Sequence, residues 1–143
     1  MARSMEALEG EALERVARWL HGHIDGLEGS PEVTQYAGGA SNWTYRLRYS
    51  NRDLVLRRPP AGTKAKSAHD MAREFRVQQA LRPAFPLVPR MVPFCDDPAV
   101  LGVDFYVMER LEGVILRGDS PGLGLDGNSA LSRSFVDTFA ALH

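Results

Sequence analysis

A chain of 143 residues with 17 basic and 18 acidic side chains, formal charge −1, has the size and balance of one compact domain. Hydrophobic residues make up 44% and charged residues 24%, which excludes disordered, collagen-like and supercharged nucleic-acid-binding chains. No apolar run approaches the roughly 18 to 20 residues that span a bilayer, and the opening Met1-Ala2-Arg3-Ser4-Met5-Glu6 leads into acids rather than a signal-peptide core, so a cytoplasmic protein without a membrane partner is expected.

Along residues 5–24, Leu8, Leu13, Val16, Leu20 and Ile24 recur about one helical turn apart, with Glu6, Glu9, Glu11 and Glu14 at the end where acids favour a helix N-terminus. The spacing predicts an amphipathic helix ending near Gly26, and residues 1–29 form a first segment. Val33-Thr34-Gln35-Tyr36 reads as a strand, followed by the loop Gly38-Gly39-Ala40-Ser41-Asn42. Strict alternation then sets Trp43, Tyr45, Leu47 and Tyr49 on one strand face and Thr44, Arg46 and Arg48 on the other. Ser50-Asn51-Arg52 turns the chain into a third strand, Asp53-Leu54-Val55-Leu56-Arg57, stopped by Pro59-Pro60-Ala61-Gly62. The three form an antiparallel meander.

From Ser67 to Arg82, Ala68, Met71, Ala72, Phe75 and Leu81 mark a helical stripe that Pro83 closes. Residues 88–95, with Pro89 and Pro93 inside them, read as an edge strand, Asp96-Asp97-Pro98 as a turn, and Phe105-Tyr106-Val107-Met108 as a cleaner strand. Gly-rich residues 113–127 read as a linker, after which Leu131, Phe135, Val136, Phe139 and Leu142 begin a helix with no stop signal before His143. That unfinished element reads as part of something longer.

The even charge hides a dipolar layout: residues 46–76 hold nine Arg or Lys against three acids, leaving that stretch at +6 and the rest at −7. Such a patch suits a compact polyanion such as a nucleotide better than nucleic acid, because no aromatic ladder follows Trp43, Tyr45 and Tyr49. The lone Cys95 lies in an apolar stretch and reads as a small buried hydrophobe. His21 and His23 point to different helix faces, so no metal site is expected there.

Five strands, a helix inserted after the third and a glycine turn between the first two are the layout of a protein-kinase-like N-terminal lobe. Four segments make the resemblance specific: Gly38 to Asn42; Leu54-Val55-Leu56-Arg57-Arg58-Pro59-Pro60; Ala68-His69-Asp70-Met71-Ala72-Arg73-Glu74-Phe75-Arg76-Val77; and Phe105-Tyr106-Val107-Met108-Glu109-Arg110-Leu111-Glu112-Gly113. In this order they resemble the aminoglycoside phosphotransferase, choline-kinase-like family, and most closely its branch fused to acyl-CoA dehydrogenases. The resemblance implies an α+β fold: a kinase-like N-lobe over residues 30–112, with a five-stranded antiparallel sheet and one inserted helix, preceded by the N-terminal helix. Residues 113–143 would then be the linker and first helix of a C-lobe.

It also implies a function, an ATP-dependent small-molecule phosphotransferase acting on a hydroxyl. Phosphoryl transfer needs a triphosphate positioned and its charge neutralised, which backbone N–H groups of a glycine turn and a nearby cation provide. Gly38, Gly39, Ser41 and Asn42 would cradle phosphates. Arg57 takes the place of the usual strand-three lysine, and Glu74 that of its helix partner; arginine, a planar always-charged fork, can still bind phosphate bidentately. Val55 would line the adenine pocket, Met108 would stand at its back, and the backbone of Glu109 to Leu111 would be the hinge that bonds the base. Arg58, Lys64 and Lys66 read as a solvated strand end and loop. The catalytic loop, of the type His-Gly-Asp-x-x-x-x-Asn, and the magnesium-binding aspartate of such enzymes are expected beyond residue 143, so no catalytic or metal-ligating residue is assigned. Asp119 does not substitute, because Gly124 stands where the loop requires asparagine. ATP or GTP with magnesium would be the donor, and a hydroxyacyl-CoA a candidate acceptor. The rival expectation is a non-catalytic, nucleotide-binding or self-associating scaffold, drawn from the apolar stripe of the terminal helix.

Overall fold

The computed structural model describes residues 7–37, 42–60, 66–116, 118 and 121–143, residues 66–69 by their backbone alone. Two compact units result, Met1–Arg110 and Leu111–His143.

In the first unit, helix α1 (Gly10–His23) precedes β1 (Glu32–Gln35), β2 (Trp43–Arg48) and β3 (Asp53–Arg58); α2 (Lys66–Leu81) leads to β4 (Met91–Cys95), and the short α3 (Pro98–Leu101) to β5 (Phe105–Glu109). The strands make one antiparallel sheet in the order β1-β2-β3-β5-β4, so β4 is an edge strand, where its Pro93 is tolerated.

Alternation in β2 and β3 sorts side chains to two faces that serve different ends. Tyr45, Leu47, Leu54 and Leu56 join Phe105, Val107 and Cys95 on one face, where Val16 and Leu20 of α1 and Ile24 just after it close over them to form the main core. Val55 and Arg57 lie on the other face, beside Arg46 and Thr44 of β2 and Met108 and Tyr106 of β5. Helix α2 packs there on β4 and β5, burying Met71 completely and setting the Phe75 ring 5.5 Å from Phe94 and 6.0 Å from Tyr106. The turn into β3 is tied to the end of α1: the Asn51 amide donates to the Gly26 carbonyl at 2.6 Å and accepts from the Glu28 N–H.

Three expectations need correction. Helix α1 begins at Gly10 rather than near residue 5, and residues 7–9 are non-helical although Leu8 is buried against the core. Asp96-Asp97-Pro98 opens a helix instead of making a simple turn: the Asp97 carboxylate accepts the Ala99 N–H at 2.9 Å, Pro98 takes the position where a missing N–H costs nothing, and Gly102 at φ +73° closes the single turn. In the second unit, α4 (Gly124–Leu142) starts before the point where the glycine-rich linker was expected to give way. Gly127, read as a linker glycine, is inside the helix, and a Cβ there would lie 2.5 Å from the Leu123 Cβ. Its glycine is a packing requirement of the first turn.

Candidate functional site

Arg57 and Arg58 are neighbours in sequence and opposites in space, since successive strand residues face opposite ways. Arg58 was expected to be a solvated strand end. Instead it turns toward the α1 face, is only 5% exposed, and lies with its guanidinium 4.8 Å from the centre of the Trp43 ring, where cation–π attraction replaces part of its hydration. Arg57 turns toward α2.

Glu74, on the inward side of α2, receives donors from three elements. The Arg57 guanidinium approaches its Oε2 to 3.6 Å, the Tyr106 hydroxyl donates to the same oxygen at 2.9 Å, and the Asn42 side-chain amide donates to Oε1 at 3.3 Å. Arg73 and Arg76, neighbours of Glu74 on α2, both face outward, and the sheet supplies its partner. Arg57 and Tyr106 are direct cross-strand partners, so their polar ends converge on one carboxylate. The ion pair is about one-third exposed on both sides, and the Arg57 Nε is buried without a hydrogen-bond acceptor among the described residues. One edge of the guanidinium is thus uncommitted, and a buried N–H without a partner is costly until an acceptor arrives.

Of the remaining site candidates, Asn42, Val55 and Met108 fall around this pair. Gly38, Gly39 and Ser41, with Lys64, lie outside the described residues, as does the side chain of Lys66; Asn42, next to the loop, reaches Glu74. Val55 is buried on the Arg57 face between Arg46 and Met108, and Met108 is half-buried. In the hinge segment, the Glu109 N–H bonds the Arg90 carbonyl at 2.9 Å and the Arg110 N–H bonds the Asp53 carbonyl at 3.0 Å, so neither amide awaits a base. The Glu109 carboxylate faces Arg52 at 3.1 Å and Arg90 at 4.0 Å. Leu111 opens the second unit and is half-exposed.

Composition alone missed how the basic stretch is neutralised. Arg46 forms a two-pronged contact with Asp53, at 2.9 and 2.7 Å; Arg110 reaches the same carboxylate at 3.3 Å and donates to the Tyr36 hydroxyl; Arg48 meets Glu32 at 2.9 Å. The hydrogen bond from Arg46 holds the Asp53 carboxyl below its ordinary range, and the charges of Arg46 and Arg110 add to it. Tyr106 moves the other way: burial raises its phenol to about 12, so it remains a protonated donor at neutral pH. No cluster of three or more His, Cys, Asp or Glu that could hold a metal occurs among the described residues. His21 and His23 each meet a backbone carbonyl instead, of Gly29 and Trp19.

Comparison with known proteins matches this arrangement to one family. The chain is 36% identical over 142 residues to mouse acyl-CoA dehydrogenase family member 10, which covers 99% of this chain and 13% of the relative, and 40% identical over 131 residues to human acyl-CoA dehydrogenase family member 11, covering 87% and 17%. It therefore spans less than one-fifth of the length of these relatives. A solved structure from Ralstonia eutropha JMP134, assigned as an aminoglycoside phosphotransferase, superposes with a TM-score of 0.61 at 31% identity, over 77% of this chain and 32% of that one. The profile of the phosphotransferase enzyme family (APH) matches residues 32–143, from the first strand through α4, and the chain belongs to that family with its kinase-like α+β fold.

Proposed function

We propose that this chain is the nucleotide-binding portion of an ATP-dependent phosphotransferase that phosphorylates a small-molecule hydroxyl. The observation that carries the reading is the Arg57–Glu74 pair, a cation on the third strand and a carboxylate on the following helix that meet at 3.6 Å in a phosphotransferase-family fold. Its chemistry suits a triphosphate: a fixed positive charge whose Nε–H meets no acceptor among the described residues, together with glycine-loop amides that would face a phosphate in this reading. Asn42, Ser41, Gly38 and Gly39 would complete the phosphate cradle. Val55 and Met108 would take the adenine face, and Leu111 would supply the hinge amide that Glu109 and Arg110 have already spent on the sheet.

ATP or GTP is the donor in this reading. Magnesium supplies charge neutralisation at the phosphates when bound, and its ligands and the catalytic base would come from residues outside 1–143. Residues 30–112 would form the nucleotide lobe, in a cytoplasmic setting. The relatives' acyl-CoA dehydrogenase names favour a hydroxyacyl-CoA as the acceptor. Replacing the guanidinium tests the assignment directly. Arg57→Ala should weaken ATP binding about tenfold or more, the worth of a charge-assisted hydrogen bond. Equal ATP affinity for the variant and the parent, read by calorimetry, overturns the role of Arg57. A second reading, a self-associating scaffold, is favoured by one observation: Phe135, Val136 and Phe139 of α4 are 70%, 62% and 57% exposed.

A further inference from the structure

Among the described residues, the closest donor to the Glu74 carboxylate is a neutral phenol, and the cation stands farther off. Tyr106 lies 2.9 Å from Oε2, within hydrogen-bond range, whereas the Arg57 nitrogen at 3.6 Å is beyond it. The direction of the phenol proton follows from a third residue. The Gln78 side-chain amide donates to the carbonyl of Glu74, one helical turn back, at 3.3 Å, and to the Tyr106 oxygen at 3.2 Å. An amide NH2 only donates, so the phenol oxygen accepts from Gln78 and its single proton is left for Glu74. Tyr106 is fully buried and cannot exchange this arrangement for water.

We propose that Tyr106, oriented by Gln78, is a positioning residue for Arg57: by satisfying Glu74 it keeps the carboxylate from drawing the guanidinium into a closed ion pair, and so keeps Arg57 open to an anionic ligand. This rests on the nucleotide reading only for the identity of that ligand. A carboxylate oxygen deprived of its 2.9 Å donor takes the nearest replacement, which is the Arg57 N–H. The positive charge is then committed to Glu74, and a phosphate must break that bond to bind. The phenol bond ties α2 to the sheet at 2.9 Å, and by satisfying Glu74 it leaves the cation unspent.

Two readouts separate this proposal from the reading beneath it. The first needs no nucleotide: the Nε–Hε NMR signal of Arg57, assigned by its loss in Arg57→Lys, compared in the parent, Tyr106→Phe and Gln78→Met. Tyr106→Phe removes only the hydroxyl from a buried ring, and Gln78→Met spares the buried ring altogether, so folding is preserved in at least one arm. The signal should shift in both variants, and more in Tyr106→Phe. The second readout is affinity for ATP and for adenosine: Tyr106→Phe should bind ATP about fivefold more weakly, with adenosine binding unchanged, because the effect reaches only the phosphates. Adding Tyr106→Phe to Glu74→Gln should then have no further effect on ATP. An unmoved Arg57 signal overturns the proposal, as does an equal loss for ATP and adenosine. A shifted signal in a chain that binds no ATP upholds the positioning and overturns the nucleotide reading.

Discussion

Neighbouring residues of one type meet opposite fates in this chain, and the cause is the pleat. Arg57 is half-open toward α2 while Arg58 is buried against Trp43, a separation that adjacency in a strand enforces and composition hides. Tyr49 shows the cost of the same constraint. It continues the apolar face of β2 and is 4% exposed, yet its hydroxyl is buried with no hydrogen-bond partner among the described residues, and burial raises its phenol to about 12. Tyr49→Phe should therefore stabilise the fold by about 1 kcal/mol, seen as a melting temperature a few degrees higher; a lower one would show that the hydroxyl is satisfied. Alkali gives an independent check. The phenols of Tyr49 and Tyr106 hold their protons to about 12 when folded, against an ordinary 10, so the unfolded chain ionises first. Their contribution is complete below pH 10 and is lost as pH rises from 10 toward 12, and denaturant midpoints should fall across that window, less steeply in Tyr49→Phe.

Strands and helices were legible wherever their period is local. Alternation from Trp43 to Tyr49 and the apolar stripe of α2 foretold both elements and their inward faces, because side-chain direction follows from backbone geometry. Element ends were less legible: Asp97-Pro98 serves a turn or a helix start equally well, and glycines at 124 and 127 read as linker until the first turn of α4 shows what they accommodate. Between elements, Asp53 at the head of β3 joins β2 through Arg46 and the residue after β5 through Arg110. Its carboxyl is held below the ordinary 3.8, chiefly by the hydrogen bond from Arg46, so the stabilisation is present above pH 3.8 and disappears as pH falls through the lower folded value. In Asp53→Asn that part of the acid dependence should vanish: urea midpoints between pH 3 and 6 should change less than in the parent. An unchanged acid limb would mean that this network does not contribute.

Two units divide the chain after Arg110, and each carries a different kind of surface. In the first, Arg46 and Arg48 of β2 and Arg57 of β3 each meet an acid, on β3, β1 and α2, and among these described pairs Arg57 is the most loosely held, at 3.6 Å against 2.7 and 2.9 Å. The second exposes an apolar stripe on α4, with Phe135 stacked on Phe139 at 6.4 Å and both largely exposed. Such a stripe favours association, and light scattering at micromolar concentration should return a mass above one chain if the scaffold reading holds; a mass of one chain sinks it. Turn chemistry and period indicated the strands in chain order and their inward faces, and four motif segments carried the family resemblance, since each is held by residues a few positions apart. The resemblance already matches Arg57 to Glu74; that Asp53 answers Arg46 and Arg110, that Arg58 lies on Trp43, and that a buried phenol donates to the Glu74 carboxylate all arise from contacts across the sheet. Glu74 and Tyr106 are 32 residues apart and meet because α2 packs on β5; no local pattern encodes that distance, and folding alone brings it to 2.9 Å.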